Sequence, residues 1–403
     1  MRLVALCHTG LASRSRQEII IAVLSTPLCA RLSVRYPIVQ AGMGIYRGLL
    51  TTPPLVAAVS NAGGMGCLGG SGLTPEELRD AIRAVRALTP HPFGVDLILP
   101  ARLSTRDGTR EEIRAEIRKD HPRHWAFVDA LHERHGVPRL PIDLDLTWTP
   151  ALTGAQTQVV LEERVPLFVV ALGDPTELMP RARAVGTLVA GLVGSLGNLR
   201  RQIAAGVDLI VCQGAEAGGH VGTISTFPLL PQVVDAAGDI PVLAGGGIAD
   251  GRGVAAALAL GAQGVWCGTA FLFAEEAYLH PDHRAQIVDG RSEDFLATRI
   301  YTGKTARTFR NVIHAEWAAT GLEPLGMPHQ KVLLEDFLHS ARQAGRLDLV
   351  SNPAGQVAGM LRDIRPAAAI LRDLVTGAAA TIGRLGGFAV EPSPSTNGDT
   401  QPC

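Results

Sequence analysis

The 403-residue chain is 46% hydrophobic and 4% aromatic, holds 45 glycines and carries a formal net charge of −1. That balance excludes the basic footprint of a nucleic-acid binder and a polyacidic tail, and no apolar run approaches the ~18 residues of a membrane span. Six scattered cysteines (Cys7, Cys29, Cys67, Cys212, Cys267, Cys403) form no C-x-x-C pair and no metal-ligand spacing, which points to reduced thiols in a cytoplasmic protein without a metal site.

Residues 1–30 read as a poorly ordered N-terminal extension, because the apolar patch at 19–24 is too short for a signal peptide and Glu18 abuts it. From Tyr36 short apolar strands alternate with helical segments. Residues 37–41 (PIVQA) form the first expected strand, 51–61 a helix and 64–68 the second strand. Thr74-Pro75-Glu76-Glu77 is an N-cap, a proline in the first turn and two acids, opening a helix to residue 88 before a third strand at 93–97. Residues 102–141 interrupt the rhythm with a charged, solvated helical insertion, whose His124, His132 and His135 match no metal motif. Strands at 167–172, 186–190, 209–213, 241–244 and 264–267 then alternate with helices at 176–184, 195–205, 227–237 and 250–260. Eight largely apolar strands, most followed by a helix, predict the α/β class and a (β/α)8 TIM barrel over residues 31–300. A doubly wound sheet is the weaker alternative, since no G-x-G-x-x-G follows the first strand. Residues 301–390 are expected to be a helical part packed on the barrel, with helical segments around His339 and at 360–376, and 391–403 a disordered polar tail.

In such barrels the chemistry sits at the carboxyl ends of the strands, with phosphates bound by the loops after the seventh and eighth. Those loops here are Gly245-Gly246-Gly247 and Gly268-Thr269. Their glycines let backbone N–H groups face a phosphate, the helix from Asp250 would add its positive end, and the Thr269 hydroxyl could donate. Singly each loop reads as a tight turn; as a pair they point to a phosphate-bearing cofactor. Gln213 ends the sixth strand with an amide suited either to a heterocycle edge or to capping the strand. His220 follows in GGHVG, where an imidazole of ordinary pKa near ~6.5 suits proton abstraction from a weak acid. Its alternative is a loop histidine held by Glu216 or by backbone. Gly42-Met43-Gly44 after the first strand, with its partner segment Gly63-Gly64-Met65-Gly66, is a further loop where backbone could approach a ligand.

Taken together, NAGGMGCLGG, GVDLILP, QGAEAGGHVG, PVLAGGGIADGRG and GVWCGTAF resemble the nitronate monooxygenase family of FMN enzymes on a TIM barrel. The similarity spans about residues 36–310 and continues more weakly through 355–359. It implies non-covalent FMN with its phosphate on Gly246, Gly247, Gly268 and Thr269, and with Gln213, Gly218 and Gly219 along the flavin. Gly42, Met43, Gly44 and Asp96 would border the isoalloxazine. His220 matches the catalytic histidine, a base toward a nitroalkane or a hydrogen-bond donor to a nitronate, whose cationic form would also stabilise the anion. The implied reaction oxidises alkyl nitronates with O2 to carbonyl compounds and nitrite. FMN-dependent, NAD(P)H-driven enoyl-thioester reductases share the E-A-G-G-H-x-G loop and form the first alternative; a non-catalytic FMN-binding protein is the second. Three departures mark this chain: QAGMG lacks the usual proline before the methionine, Asp96 stands where asparagine is usual, and the 102–141 insertion is extra.

Overall fold

The computed structural model describes residues 24–45, 48–99, 109–142 and 149–388, so the expected tail at 391–403 and most of the N-terminal extension lie outside the described residues. Eight parallel strands organise it: β1 (Ile38–Gln40), β2 (Gly66–Gly69), β3 (Phe93–Ile98), β4 (Leu167–Ala171), β5 (Leu188–Val193), β6 (Leu209–Gln213), β7 (Val242–Gly245) and β8 (Gly264–Cys267). They pair in the order β1-β8-β7-β6-β5-β4-β3-β2, and the ring returns on itself where Val39 bridges Met65, just ahead of β2. This is the (β/α)8 barrel expected from the strand rhythm. β5 is displaced from 186–190 because Gly186, at φ 78°, closes the preceding helix in the left-handed conformation.

Alternation along each strand sorts the side chains. One set, including Val39, Cys67, Val169, Val211, Leu243 and Trp266, fills the barrel interior. The interior set also receives Leu28 and Leu32 from α1 (Pro27–Leu32). Thr26 Oγ1 donates to Gln263 O, just ahead of β8, so α1 sits at the amino-terminal end of the strands, opposite the mouth. Residues 27–30 thus correct the expectation of a poorly ordered extension through residue 30: two leucines one helical turn apart, Leu28 and Leu32, have a core to enter.

The other set meets the surrounding helices α2 (Pro53–Asn61), α3 (Pro75–Leu88), α6 (Pro150–Glu162), α7 (Leu178–Val185), α8 (Leu196–Ala205), α9 (Thr226–Ala237) and α10 (Gly251–Ala259). Their starts are chemically set: Thr52, Thr74, Thr149, Ser195 and Asp250 side chains each accept a first-turn N–H. The sequence predicts no helix at 150–162, because half of the residues that α6 buries are polar. Gln156 Nε2 donates to Leu73 O at 2.7 Å, and the Thr153 and Thr157 hydroxyls donate to carbonyls one turn back. A polar buried face leaves no apolar stripe to detect.

The insertion is not a solvated excursion. Its helices α4 (Arg110–Asp120) and α5 (Pro122–Arg134) bury Ile113, Ile117, Val128 and Leu131 against the C-terminal part. That part comprises α11 (Thr269–Leu272), α12 (Pro281–Asp289), α13 (Val312–Ala319), α14 (His329–Gln343) and α15 (Ala367–Gly386). Trp317 of α13 and Phe337 of α14 complete a second apolar core with the insertion. The C-terminal part also holds an unexpected antiparallel hairpin, β9 (Phe295–Thr298) and β10 (Ala306–Phe309), which lies over the barrel mouth. Among the described residues no helix is long and apolar enough to cross a membrane.

Candidate active site

His220 is not on a free loop. Gly219–His220 forms a two-residue strand that pairs antiparallel with β10, Ala306 opposite His220. Gly219, at φ 68°, makes the turn that brings this strand to the hairpin, and Val221 N donates to Thr305 O at 3.0 Å to close it. Gln213 Nε2 donates to His220 O at 2.6 Å, so the strand-end amide fixes the histidine backbone from the barrel side. The ring is held through Nε2, 3.1 Å from Thr302 Oγ1, and that hydroxyl also lies 3.1 Å from Lys304 O. Because that hydroxyl donates its one proton to Lys304 O, it can accept from a protonated His220 Nε2, which ties the histidine tautomer to the 302–304 turn. Glu216, the alternative holder of His220, is engaged elsewhere: both carboxylate oxygens accept from Thr226 N at the start of α9.

Burial, then the positive charges of Lys331 and Lys304, lower the His220 pKa to about 4. The imidazole is therefore neutral at pH 7. This corrects the expectation of an imidazolium stabilising an anion; positive charge near the site comes from the two lysines, and the ring is left to accept a proton.

At the ends of β7 and β8 the two glycine turns stand side by side. Gly246 and Gly247 have φ 92° and 74°, a succession that turns consecutive N–H groups toward one side. Among the described residues the amides of Gly246, Gly247, Gly268 and Thr269 donate to no protein acceptor. The start of α10 is different: Asp250 Oδ1 accepts from both Arg252 N and Gly253 N, so that helix end is already capped by its own carboxylate. Thr269 Oγ1 accepts from Gly355 N at 2.9 Å, which seats residues 354–355 against the turns and against Gly218.

Gly42, Met43 and Gly44 lie directly on the end of β2. A Cβ on Gly42 would come within 2.5 Å of Asp96 Cβ and 2.8 Å of Leu68 O. Asp96 stands near the end of β3, opposite Gly69 and Val169 in the flanking strands. Its Oδ1 is buried without a hydrogen-bond partner, and burial pushes its pKa up to about 8. Cys67, Cys212 and Cys267 are buried thiols whose pKa values burial raises, to about 12 for Cys212 and Cys267. They are inert as nucleophiles.

All twelve residues singled out in the sequence (Gly42, Met43, Gly44, Asp96, Gln213, Gly218, Gly219, His220, Gly246, Gly247, Gly268 and Thr269) line one cavity of ≈ 640 Å3. Its opposite wall carries no motif in the sequence. It comes from the C-terminal part: His280 and His283 flanking the start of α12, Tyr301 and Thr302 in the hairpin turn, and Lys331, Glu335, His339 and Arg342 on one face of α14. The spacing 331, 335, 339, 342 places polar groups on one helical face, a periodicity that reads equally well as a solvated stripe. Thr302 lay in the unassigned run TGKT. His124, His132 and His135 lie away from this cavity, in the helical subdomain. Among the described residues no His, Cys, Asp and Glu side chains cluster as a metal site.

A family model described as nitronate monooxygenase matches residues 25–377. The Mycobacterium tuberculosis protein named "Putative monooxygenase Rv1533" is 39% identical over 351 residues, 83% of this chain and 93% of its own. A Staphylococcus aureus protein named as a probable nitronate monooxygenase is 32% identical over 359 residues, 86% of this chain and 96% of its own. Two solved structures share the architecture. Nitroalkane oxidase from Streptomyces ansochromogenes superposes with a TM-score of 0.75 at 29% identity, covering 89% of this chain and 99% of the other. FabK from Thermotoga maritima superposes with a TM-score of 0.71 at 31% identity, covering 91% and 100%.

Proposed function

The chain belongs to the nitronate monooxygenase family, and we propose that it is an FMN-dependent oxidoreductase that oxidises alkyl nitronates with O2 to carbonyl compounds and nitrite. The observation that carries this reading is one cavity lined both by amides with no protein acceptor, at Gly246, Gly247, Gly268 and Thr269, and by a neutral histidine at its mouth. Those amides suit a phosphate, and the glycines beside them let a flat ring approach the backbone. Bound FMN would supply the electron transfer. The protein's own part is positional. Gln213, β10 and Thr302 hold His220 so that its ring can take a proton from the carbon beside a nitro group, or hydrogen-bond a nitronate already formed. Lys331 and Lys304 bias the same region toward an anion.

A second reading, NAD(P)H-dependent reduction of an enoyl thioester, is favoured by the polar wall from α12 and α14, which extends the cavity beyond the barrel mouth, and by the similarity to FabK. Anaerobic mixing of the FMN-loaded protein with nitronates, NADH, NADPH and enoyl thioesters separates the two. Flavin bleaching by nitronates alone is the expected result; rapid bleaching by NADH or NADPH with turnover of an enoyl thioester would replace the first reading by the second. Protein that takes up FMN and turns over neither substrate set would be a binding protein.

A further inference from the structure

Asp96 is an ionisable group that the reaction above does not use. It lines the cavity, its Oδ1 has no hydrogen-bond partner, and no cation lies against it among the described residues. The elements packed on it are all short of compensating charge. β2 brings Cys67, whose thiol is pushed well up by burial and by Asp96 itself, β4 brings Val169, and the loop after β1 brings Gly42 and Met43. The Oδ1 end of a carboxylate in such a place lacks both solvent and donors, whereas the protonated acid is neutral and carries one O–H to give.

Resting on the FMN reading above, we propose that Asp96 keeps its proton at neutral pH and donates it as a hydrogen bond to the bound flavin, making flavin affinity sensitive to pH through this one carboxyl. An amide at the same position would donate without titrating; the acid adds a switch. Loss of the proton at alkaline pH would remove the donor and leave a negative charge in the cavity, so the deprotonated protein would bind FMN more weakly. The direction agrees with burial raising the Asp96 pKa to about 8 in the free protein, and the added donor bond raises it further when flavin is bound.

The test is the dissociation constant of FMN, followed by flavin fluorescence on the full-length apoprotein between about pH 6 and pH 9.5, for the wild type and Asp96→Asn. Wild-type affinity is expected to be level at neutral pH, to weaken by up to about tenfold per pH unit above the free-protein pKa, and to level off again above the bound-state pKa. Asp96→Asn is expected to bind with the neutral-pH affinity throughout. A wild-type affinity level to pH 9.5, or the same slope in Asp96→Asn, overturns the proposal. Should Asp96→Asn fail to fold, the wild type decides alone: a protonated-carboxyl infrared band at pH 7 that FMN binding shifts is expected, and its absence overturns the proposal. Protein that binds no FMN at any pH removes the flavin reading itself, an outcome distinct from pH-independent binding.

Discussion

His220 shows how one residue acquires a chemical role from its surroundings. With its ring neutral above pH 4, the histidine is a proton acceptor across the physiological range. Replacing it by alanine is expected to leave FMN bound and to lower turnover by ~10²–10⁴-fold, the usual weight of a positioned acid or base. Flavin absorbance together with steady-state nitrite production checks this, and normal activity in the variant would end the assignment. The same burial sets a pH signature. The acid limb of kcat/KM should lie near pH 4 to 5, measured by pH-jump kinetics, and a limb near ~6.5 would show an unperturbed histidine. Stability moves in the same direction. His220 and His314 both have folded pKa values of about 4, below the ordinary value of 6.5. As pH falls below 6.5 the unfolded chain takes up protons that the native state refuses, so stability is lost between about pH 6.5 and pH 4. His314→Gln, outside the cavity, should flatten part of that loss in thermal melts across this range; an unchanged pH slope would contradict it.

Elements come together here at points of backbone contact. The N-terminal turn of α10 meets α15 through two glycines, and a Cβ on Gly251 would lie against the backbone of Gly377 and Ala378. Ala378, Leu374 and Leu371 of α15 join the barrel's outer core at this contact. Gly251→Val is therefore expected to push α15 off α10 and to cost about 1–3 kcal/mol or more, read as a lowered denaturation midpoint with the slope unchanged. A midpoint equal to the wild type would mean that α15 is not clamped there. Gly251 also begins the helix that Asp250 caps, so the residue that lets the C-terminal helix dock sits shortly after the Gly246-Gly247 turn. Element starts were legible for a related reason: Thr74, Ser195 and Asp250 each carry a side chain that meets the first-turn amides.

Among the described residues the barrel and the helical subdomain each bury apolar cores of their own, and the cavity lies between their elements. The barrel core and the helical core around Phe337 are separate clusters, and the cavity takes its floor from the first and its far wall from α14. Phe337 is fully buried and meets the rings of His132 and His135 edge-on and tilted, at 5.3 and 6.3 Å. Phe337→Ala should cost ~3–5 kcal/mol in that subdomain, splitting off a lower-temperature transition in calorimetry while the glycine turns still bind FMN. A single, unshifted transition would show that the two cores melt as one.

Sequence by itself determined the barrel and the strand-end half of the cavity. Strands buried on both faces are apolar throughout, helix starts carry their caps, and positions such as Gly219, Gly246 and Gly247 need conformations that glycine adopts most readily. Each of these signals is local, so each survives in the linear chain. Tertiary structure alone decided the rest. The hairpin that holds His220, the diversion of Gln213 and Glu216 to backbone partners, and the wall built by α14 all join residues far apart in sequence. The neutrality of His220 and the raised pKa of Asp96 belong to the same class, because both are set by how much solvent the fold removes from a side chain, a quantity no spacing of residues encodes.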